Sequence, residues 1–341
     1  MFITIYIDFK PSKYYDEDSR PTVDYFLSLQ DLHKYLSNPY EHEPRPWIRV
    51  AIMSCKNANT FIYGSKYYLD DVKTIKKFKL EITPNYLDMI YRIGNLKVLE
   101  YLYKNNKLSY TDNLLNLVSE NGYVHILEWW LKINCNLPLK YDERALYYAS
   151  ANGHVHVLEW WFKSNLPLKY DERGLNCASA NGHVHVLEWW FKSNLPLKYD
   201  ESALDNASQK GHVHVLEWWF KSNLPLKYDE RVLNGASWKG HVNVLDWWLK
   251  SGLELKYDES TLYWASYQGH VHVLEWWFKS NLPLKYNESA LNWASMNGHI
   301  HVLTWWKNSG LPLKYTDLRR MYDHKNVLDW WKNSGLLLKY N

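Results

Sequence analysis

The stretch GHVHVLEWWFKSNLPLKY (153–170) is repeated without a change at 182–199, 211–228 and 269–286. The glycines that open these copies, together with Gly240 and Gly298, stand 29 residues apart throughout. A fixed period of this length marks an array built by copying one supersecondary unit. Upstream, Gly122 precedes Gly153 by 31 residues and Gly94 precedes Gly122 by 28, while the last copy, ending at 336–340, has lost four residues. The expected organisation is an array of about nine units over 84–341, behind an N-terminal mixed domain or cap over 1–83.

Within a unit, Leu146 is taken as position 0, matched by Leu175, Leu204, Leu233, Leu262 and Leu291. Apolar or small residues fall at 0, +3 and +4, a glycine at +7, and apolar residues again at +11, +12, +15 and +16 (Val157, Leu158, Trp161, Phe162). Both apolar sets have helical spacing. The glycine suits a left-handed residue closing the first helix. In NLPLKYD, Pro167 lacks a backbone N–H and pushes its predecessor toward extended geometry, so the second helix stops there. Asp171 is then placed to cap the next helix, as are Asp142, Asp200, Asp229 and Asp258. Each unit therefore reads helix, glycine turn, helix, extended loop. One such unit buries too little to fold alone, so neighbours must share a core.

The pattern L-x-x-A-x-x-x-G-H-x-x-V-L-x-x-W-φ-x-x-N/G-L resembles the ankyrin repeat, over about three quarters of the chain. It departs from that family in a loop four residues shorter, without the D-x-x-G finger turn, and in D-E-R/S-x-L where the family has T-P-L-H. The resemblance implies an all-α repeat solenoid of stacked helix-turn-helix units, with first helices lining a concave groove where partners bind. The Trp-Trp variety looks like the short repeats abundant in giant DNA viruses of amoebae, a source that would place the protein in the host cytoplasm. Ahead of the array, Phe2–Phe9 and Trp47–Met53 read as strands and Val23–Leu36 as a helix, giving a small α+β domain.

Composition narrows the function. Hydrophobic residues make up 46% of the 341, enough for a folded core, and 20 Trp with 28 Tyr fit one aromatic-rich unit copied many times. A net charge of +3 from 40 basic and 37 acidic residues is too balanced for a chain devoted to gripping phosphates. Three cysteines without framework spacing indicate a reducing compartment. MFITIYIDFK has no basic n-region, and no apolar run approaches the roughly 18 residues that span a bilayer, so a cytoplasmic protein without a membrane segment is expected. No phosphate loop, nucleophile elbow, HExxH or CxxC is present; no enzyme, catalytic residue or cofactor is expected.

Trp at +15 (Trp161, Trp190 and their copies) replaces a core leucine of the family. Trp at +14 (Trp160, Trp189 and theirs) reads either as filler of the seam between second helices or as an exposed ladder; so many bare indoles would be a larger patch than soluble monomers tolerate, which favours the seam. His-x-His (His154/His156, His183/His185, His212/His214, His270/His272, His299/His301) has metal-ligand residues, but histidines one layer apart cannot share an ion, so no metal is expected. The second His, four before the +14 Trp, is placed to stack on it. The Lys column (Lys140, Lys169, Lys198, Lys227, Lys256, Lys285, Lys314) reads as a solvated edge.

The units differ mainly at +1, +2, +5 and +6 of the first helix, between an unchanging Leu, Ala and Ser at 0, +3 and +4. A fixed scaffold with one varying face is the form of a binding surface, and Tyr, Trp and Asn are effective contact residues. Candidate partner-binding residues are Tyr147, Tyr148, Asn152, Asn176, Asp205, Asn206, Gln209, Lys210, Asn234, Trp238, Lys239, Tyr263, Trp264, Tyr267, Gln268, Asn292, Trp293 and Met296. Surface drift after duplication is the competing explanation; the sparing of exposed Glu, Lys and loop residues is set against it. The expected function is a non-catalytic protein–protein interaction scaffold with an unidentified protein partner. Two alternatives stay open: an adaptor whose N-terminal domain recruits a ubiquitin ligase or similar machine, and nucleic-acid binding through the Lys edge and groove aromatics.

Overall fold

The computed structural model describes residues 47–53, 61–108, 113–133, 140–316 and 324–336. Strands β1 (Trp47–Met53) and β2 (Phe61–Tyr68) form an antiparallel hairpin with Trp47 opposite Tyr68. The strand expected at Trp47–Met53 is therefore present, whereas the expected strand at Phe2–Phe9 and helix at Val23–Leu36 lie outside the described residues. After α1 (Val72–Phe78) come helix pairs. These are α2 (Pro84–Ile93) with α3 (Leu96–Lys104), α4 (Leu114–Glu120) with α5 (Val124–Lys132), and α6 (Arg144–Ala151) with α7 (Val155–Lys163). They continue as α8 (Arg173–Ala180) with α9 (Val184–Lys192), α10 (Ser202–Gln209) with α11 (Val213–Lys221), and α12 (Arg231–Lys239) with α13 (Val242–Lys250). Then follow α14 (Ser260–Tyr267) with α15 (Val271–Lys279), α16 (Ser289–Met296) with α17 (Ile300–Asn308), and finally α18 (Lys325–Asn333). The described residues thus form an all-α repeat array behind one hairpin, with helix boundaries where the apolar periodicity put them.

Spatial proximity divides the chain into two units, Met1–Leu146 with His156–Lys169, and Tyr147–Val155 with Tyr170–Asn341. In the first, the hairpin end is fastened to the first helix pair by one buried and one part-buried hydrogen bond. Tyr86 Oη donates to Leu69 O at 2.6 Å, and Asn95 Nδ2 donates to Asp70 O at 2.8 Å. Thr83 caps α2, its Oγ1 accepting from Tyr86 N, with Pro84 at the first helical position where its missing N–H costs nothing.

The second unit shows the repeat in its regular form. Leu at 0, Ala at +3, Ser at +4, Val at +11, Leu at +12 and Trp at +15 are buried in each complete copy. Gly153, Gly182, Gly211, Gly240, Gly269 and Gly298 have φ between 75 and 81°, the left-handed region that an L side chain enters at a cost. A second constraint acts at the same place: a Cβ on Gly182 would lie 3.2 Å from the His212 ring of the next repeat. The aspartates cap as expected, Asp200 Oδ1 accepting from Ser202 N at 2.8 Å and Asp258 Oδ1 from Ser260 N at 2.9 Å. The N/G alternation after the second helix also has a backbone cause, since Asn194, Asn223 and Asn281 have φ of 56, 57 and 61° and Gly252 and Gly310 occupy the same site.

One element of the expected apolar stripe is corrected. Phe at +16 is not core: Phe191 and Phe220 are each 41% exposed, as is Leu249 at a similar level. The core of the second helix is the Val-Leu-Trp set, and the neighbouring repeat takes the Phe only by its edge. The Phe191 ring meets Trp218 at 6.1 Å and 89°.

Candidate functional site

The four-fold phrase is occupied almost entirely in joining one repeat to the next. Trp at +15 donates its indole N–H to the +4 Ser of the preceding repeat: Trp190 to Ser150 (3.0 Å), Trp219 to Ser179 (2.9 Å), Trp248 to Ser208 (3.0 Å), Trp277 to Ser237 (3.1 Å). Trp at +14 lies half-buried in the seam, and its N–H reaches the preceding acid at +13: Trp218 to Glu188, Trp247 to Glu217, Trp276 to Asp246, Trp305 to Glu275. The seam reading holds and the free ladder does not. The indole N–H and the i+4 lysine together draw the Glu188, Glu217 and Glu275 carboxyls below their usual range, with the lysine the larger cause for the first two.

Both histidines bond to backbone carbonyls of the preceding repeat, each through one ring nitrogen. The second one is Nε2 to glycine O, as in His185 to Gly153 (3.1 Å), His214 to Gly182 (3.1 Å) and His301 to Gly269 (2.9 Å). This corrects its expected stacking on the +14 Trp. The first is exemplified by His299 Nε2 at 2.9 Å from Tyr267 O. Burial first, together with the neighbouring His, holds His183, His212, His270 and His299 below the ordinary imidazole pKa.

The lysine edge is likewise structural. Lys198 Nζ donates to Tyr170 O (3.0 Å) and sits 4.7 Å from that Tyr ring, and Lys227, Lys256, Lys285 and Lys314 repeat the contact with Tyr199, Tyr228, Tyr257 and Tyr286. In return Tyr170 Oη donates to Pro196 O. These lysines remain exposed, so the edge is solvated as expected while each ammonium also braces the preceding loop.

The first-helix row carries the candidate partner-binding residues, and the structure sorts them by position. At +1, Asn176 is buried and ties its repeat to the next cap, Nδ2 donating to Asp200 Oδ1 at 2.8 Å; Asn234 does the same to Asp258 and Asn292 to Thr316 Oγ1. Tyr147 lies 4.6 Å from Tyr148 and takes the Arg173 guanidinium over its face. Asn152, Lys210 and Lys239 lie exposed at the helix ends, Asn206, Gln209, Gln268 and Met296 half-exposed.

Across α12, α14 and α16 the half-exposed rings merge into one cluster. Trp238 meets Trp264 at 5.5 Å, Trp264 meets Tyr263 at 4.6 Å and Tyr267 at 5.7 Å, and Tyr267 meets Trp293 at 5.6 Å. Beside it a cleft of about 370 Å³ opens between α10, α12 and α14, lined among others by Asp205, Arg231, Gly235, Trp238 and Trp264. The sequence singled out most of these residues but not the cleft, because the decisive gap is Gly235, where every other regular copy carries a side chain.

No protein-family model matches the chain, and no curated protein matches it. Among solved structures, the human ASB11 ankyrin repeat domain is similar with a TM-score of 0.46 and 14% identity, over 57% of this chain and 99% of that one. No described helix is long and apolar enough to cross a membrane.

Proposed function

We propose that the chain is a non-catalytic protein–protein interaction scaffold whose partner is bound along the first-helix row. The observation that carries this is the aromatic cluster of Trp238, Tyr263, Trp264, Tyr267 and Trp293. Five large rings on three successive helices are left half in solvent or exposed, and they touch one another from repeat to repeat, so they form one continuous aromatic surface. Contiguous exposed aromatic surface on a water-facing helix row carries a solvation cost that a bound partner removes, and Trp and Tyr are the residues that most often dominate such contacts.

The surface asks little rearrangement of the scaffold, because each first helix is fixed by its Leu, Ala and Ser on the opposite side. Substitution of Tyr263, Trp264 and Tyr267 by Ala tests the assignment: partner capture is lost with the melting transition retained. Capture that survives the triple change would remove this face from consideration.

A further inference from the structure

Asp205 breaks a rule that its neighbours keep. At +1, Asn176, Asn234 and Asn292 each donate an amide N–H to the cap of the following repeat. Position +1 of α10 faces the cap Asp229, and there the chain carries Asp205 instead, which has no N–H to give. The carboxylate is only 7% exposed. Its Oδ1 has no hydrogen-bond partner, and Oδ2 has only the Arg231 Nη2 at 2.9 Å, an ionic contact outside hydrogen-bond geometry. That guanidinium is also committed to Asp229, with Nε 2.9 Å from Oδ1.

A second polar atom is orphaned in the same cleft, the Trp238 indole N–H, which is buried without an acceptor. Surrounding charge is acidic. Glu230 and Asp258 line the cleft beside Asp205, and Asp229, Glu201 and Asp200 add their field, set against Arg231 and the Lys239 ammonium over Trp238. Burial first, then Asp229, pushes the Asp205 carboxyl up to about 7 against the pull of Arg231. The ring face already attracts a cation, since Lys239 Nζ stands 4.1 Å over Trp238. Gly235 adds no side chain to the cleft it lines, and its backbone packs close to Gln209, where a Cβ would meet the Gln209 Cβ at 3.1 Å.

We propose that this cleft is an arginine-binding pocket, in which a partner's arginine side chain enters between α10, α12 and α14 and donates to the Asp205 carboxylate while lying against Trp264. A guanidinium supplies several N–H donors in one plane and stacks on aromatic faces, which an ammonium does less well. The volume of about 370 Å³ is within the range of sites that enclose small groups. A main-chain carbonyl beside the arginine is the acceptor for Trp238 Nε1–H. The local departure from the Asn–Asp link is then retained at a cost in stability because it serves binding. This proposal rests on the first-helix row being the recognition face.

The test uses the full chain labelled with ¹⁵N-tryptophan, with the Trp238 indole signal assigned by Trp238→Phe. The probe is acetyl-Gly-Gly-Arg-Gly-Gly-amide, compared with its neutral citrulline counterpart. The expected result is a saturable shift of the Trp238 signal by the arginine peptide, weakened roughly tenfold or more for citrulline and for Asp205→Asn. The same Asp205→Asn variant should melt higher than wild type, because Asn regains the link that Asn176 makes to Asp200. An unmoved Trp238 signal, equal shifts from the two peptides, or a lower melting temperature for Asp205→Asn would each overturn the proposal, the last by making Asp205 a structural partner of Arg231. Peptide failure alongside loss of partner capture in the triple aromatic variant removes only the pocket. Peptide binding alongside capture unaffected by that variant removes only the wider recognition face.

Discussion

Trp219 Nε1 donates to Ser179 Oγ at 2.9 Å, joining residues 40 positions apart in buried surroundings. The pair explains why two unlike residues, one in each helix of the unit, stay fixed together in the complete copies of the second unit. Removing Ser leaves an indole N–H in the core without an acceptor, and removing Trp leaves a large cavity.

Ser179→Ala is therefore expected to cost about 1–3 kcal/mol, the price of a buried donor left unmade, while Trp190→Ala is expected to cost about 3–5 kcal/mol. A double change of Ser179→Ala with Trp219→Phe should cost less than the sum, because both partners of the hydrogen bond then leave together. Urea unfolding of the full chain, followed by the shift in midpoint, measures each of these. An equal loss from Ser179→Ala whether Trp219 is present or already replaced by Trp219→Phe would show that the bond contributes nothing.

Glycine substitution should separate two kinds of site. Gly182→Ala places a Cβ at positive φ and 3.2 Å from His212, so a loss of about 1–2 kcal/mol or more is expected. Gly252→Asn faces open space at a φ that Asn194, Asn223 and Asn281 already adopt, and should lie within about 0.5 kcal/mol of wild type. Thermal melting of the two variants side by side decides it.

Acid should loosen the array before any carboxylate titrates normally. His183, His212, His241, His270 and His299 are all held below the ordinary imidazole value by burial. A depressed folded-state pKa means that the unfolded chain binds the proton first. Stability from these groups is then complete above the unfolded value of about 6.5 and is lost as pH falls below it. Asp205 acts in the opposite direction as a single group, since its raised carboxyl pKa favours the folded state on acidification. The melting temperature is expected to fall between pH 7 and pH 5, and to fall less when the first-His column is shortened by His183→Asn and His212→Asn. A flat profile over that interval would contradict the role given to the column.

Much of the scaffold was legible in the sequence because it depends on local spacing. The two apolar sets, the glycine at +7, the capping aspartates and the core Trp at +15 follow from helical periodicity and turn chemistry within one unit. What escaped lies between units. A helical wheel places Phe191 beside the core stripe, yet the neighbouring repeat leaves it exposed and takes Trp189 and its copies into the seam instead. The recurrence of Ser at +4, of Glu or Asp at +13 in most copies and of the loop lysines had no visible cause until Trp219, Trp218 and the loop tyrosines appeared as their partners one repeat away. The sparing of exposed Glu and Lys therefore has a packing cause in these contacts, with or without selection for binding. The varying positions were legible as a set, but the cleft at Gly235 and the anomaly of Asp205 emerge only when +1 of one repeat is compared with the cap of the next.

The most direct test of a recognition face on the first helices is affinity capture by the immobilised full chain, run beside Tyr263→Ala/Trp264→Ala/Tyr267→Ala with melting curves for both. The expected result is loss of the proteins that the wild-type column retains, at a melting temperature within a few degrees of wild type. An unchanged set of retained proteins at an unchanged melting temperature would contradict it.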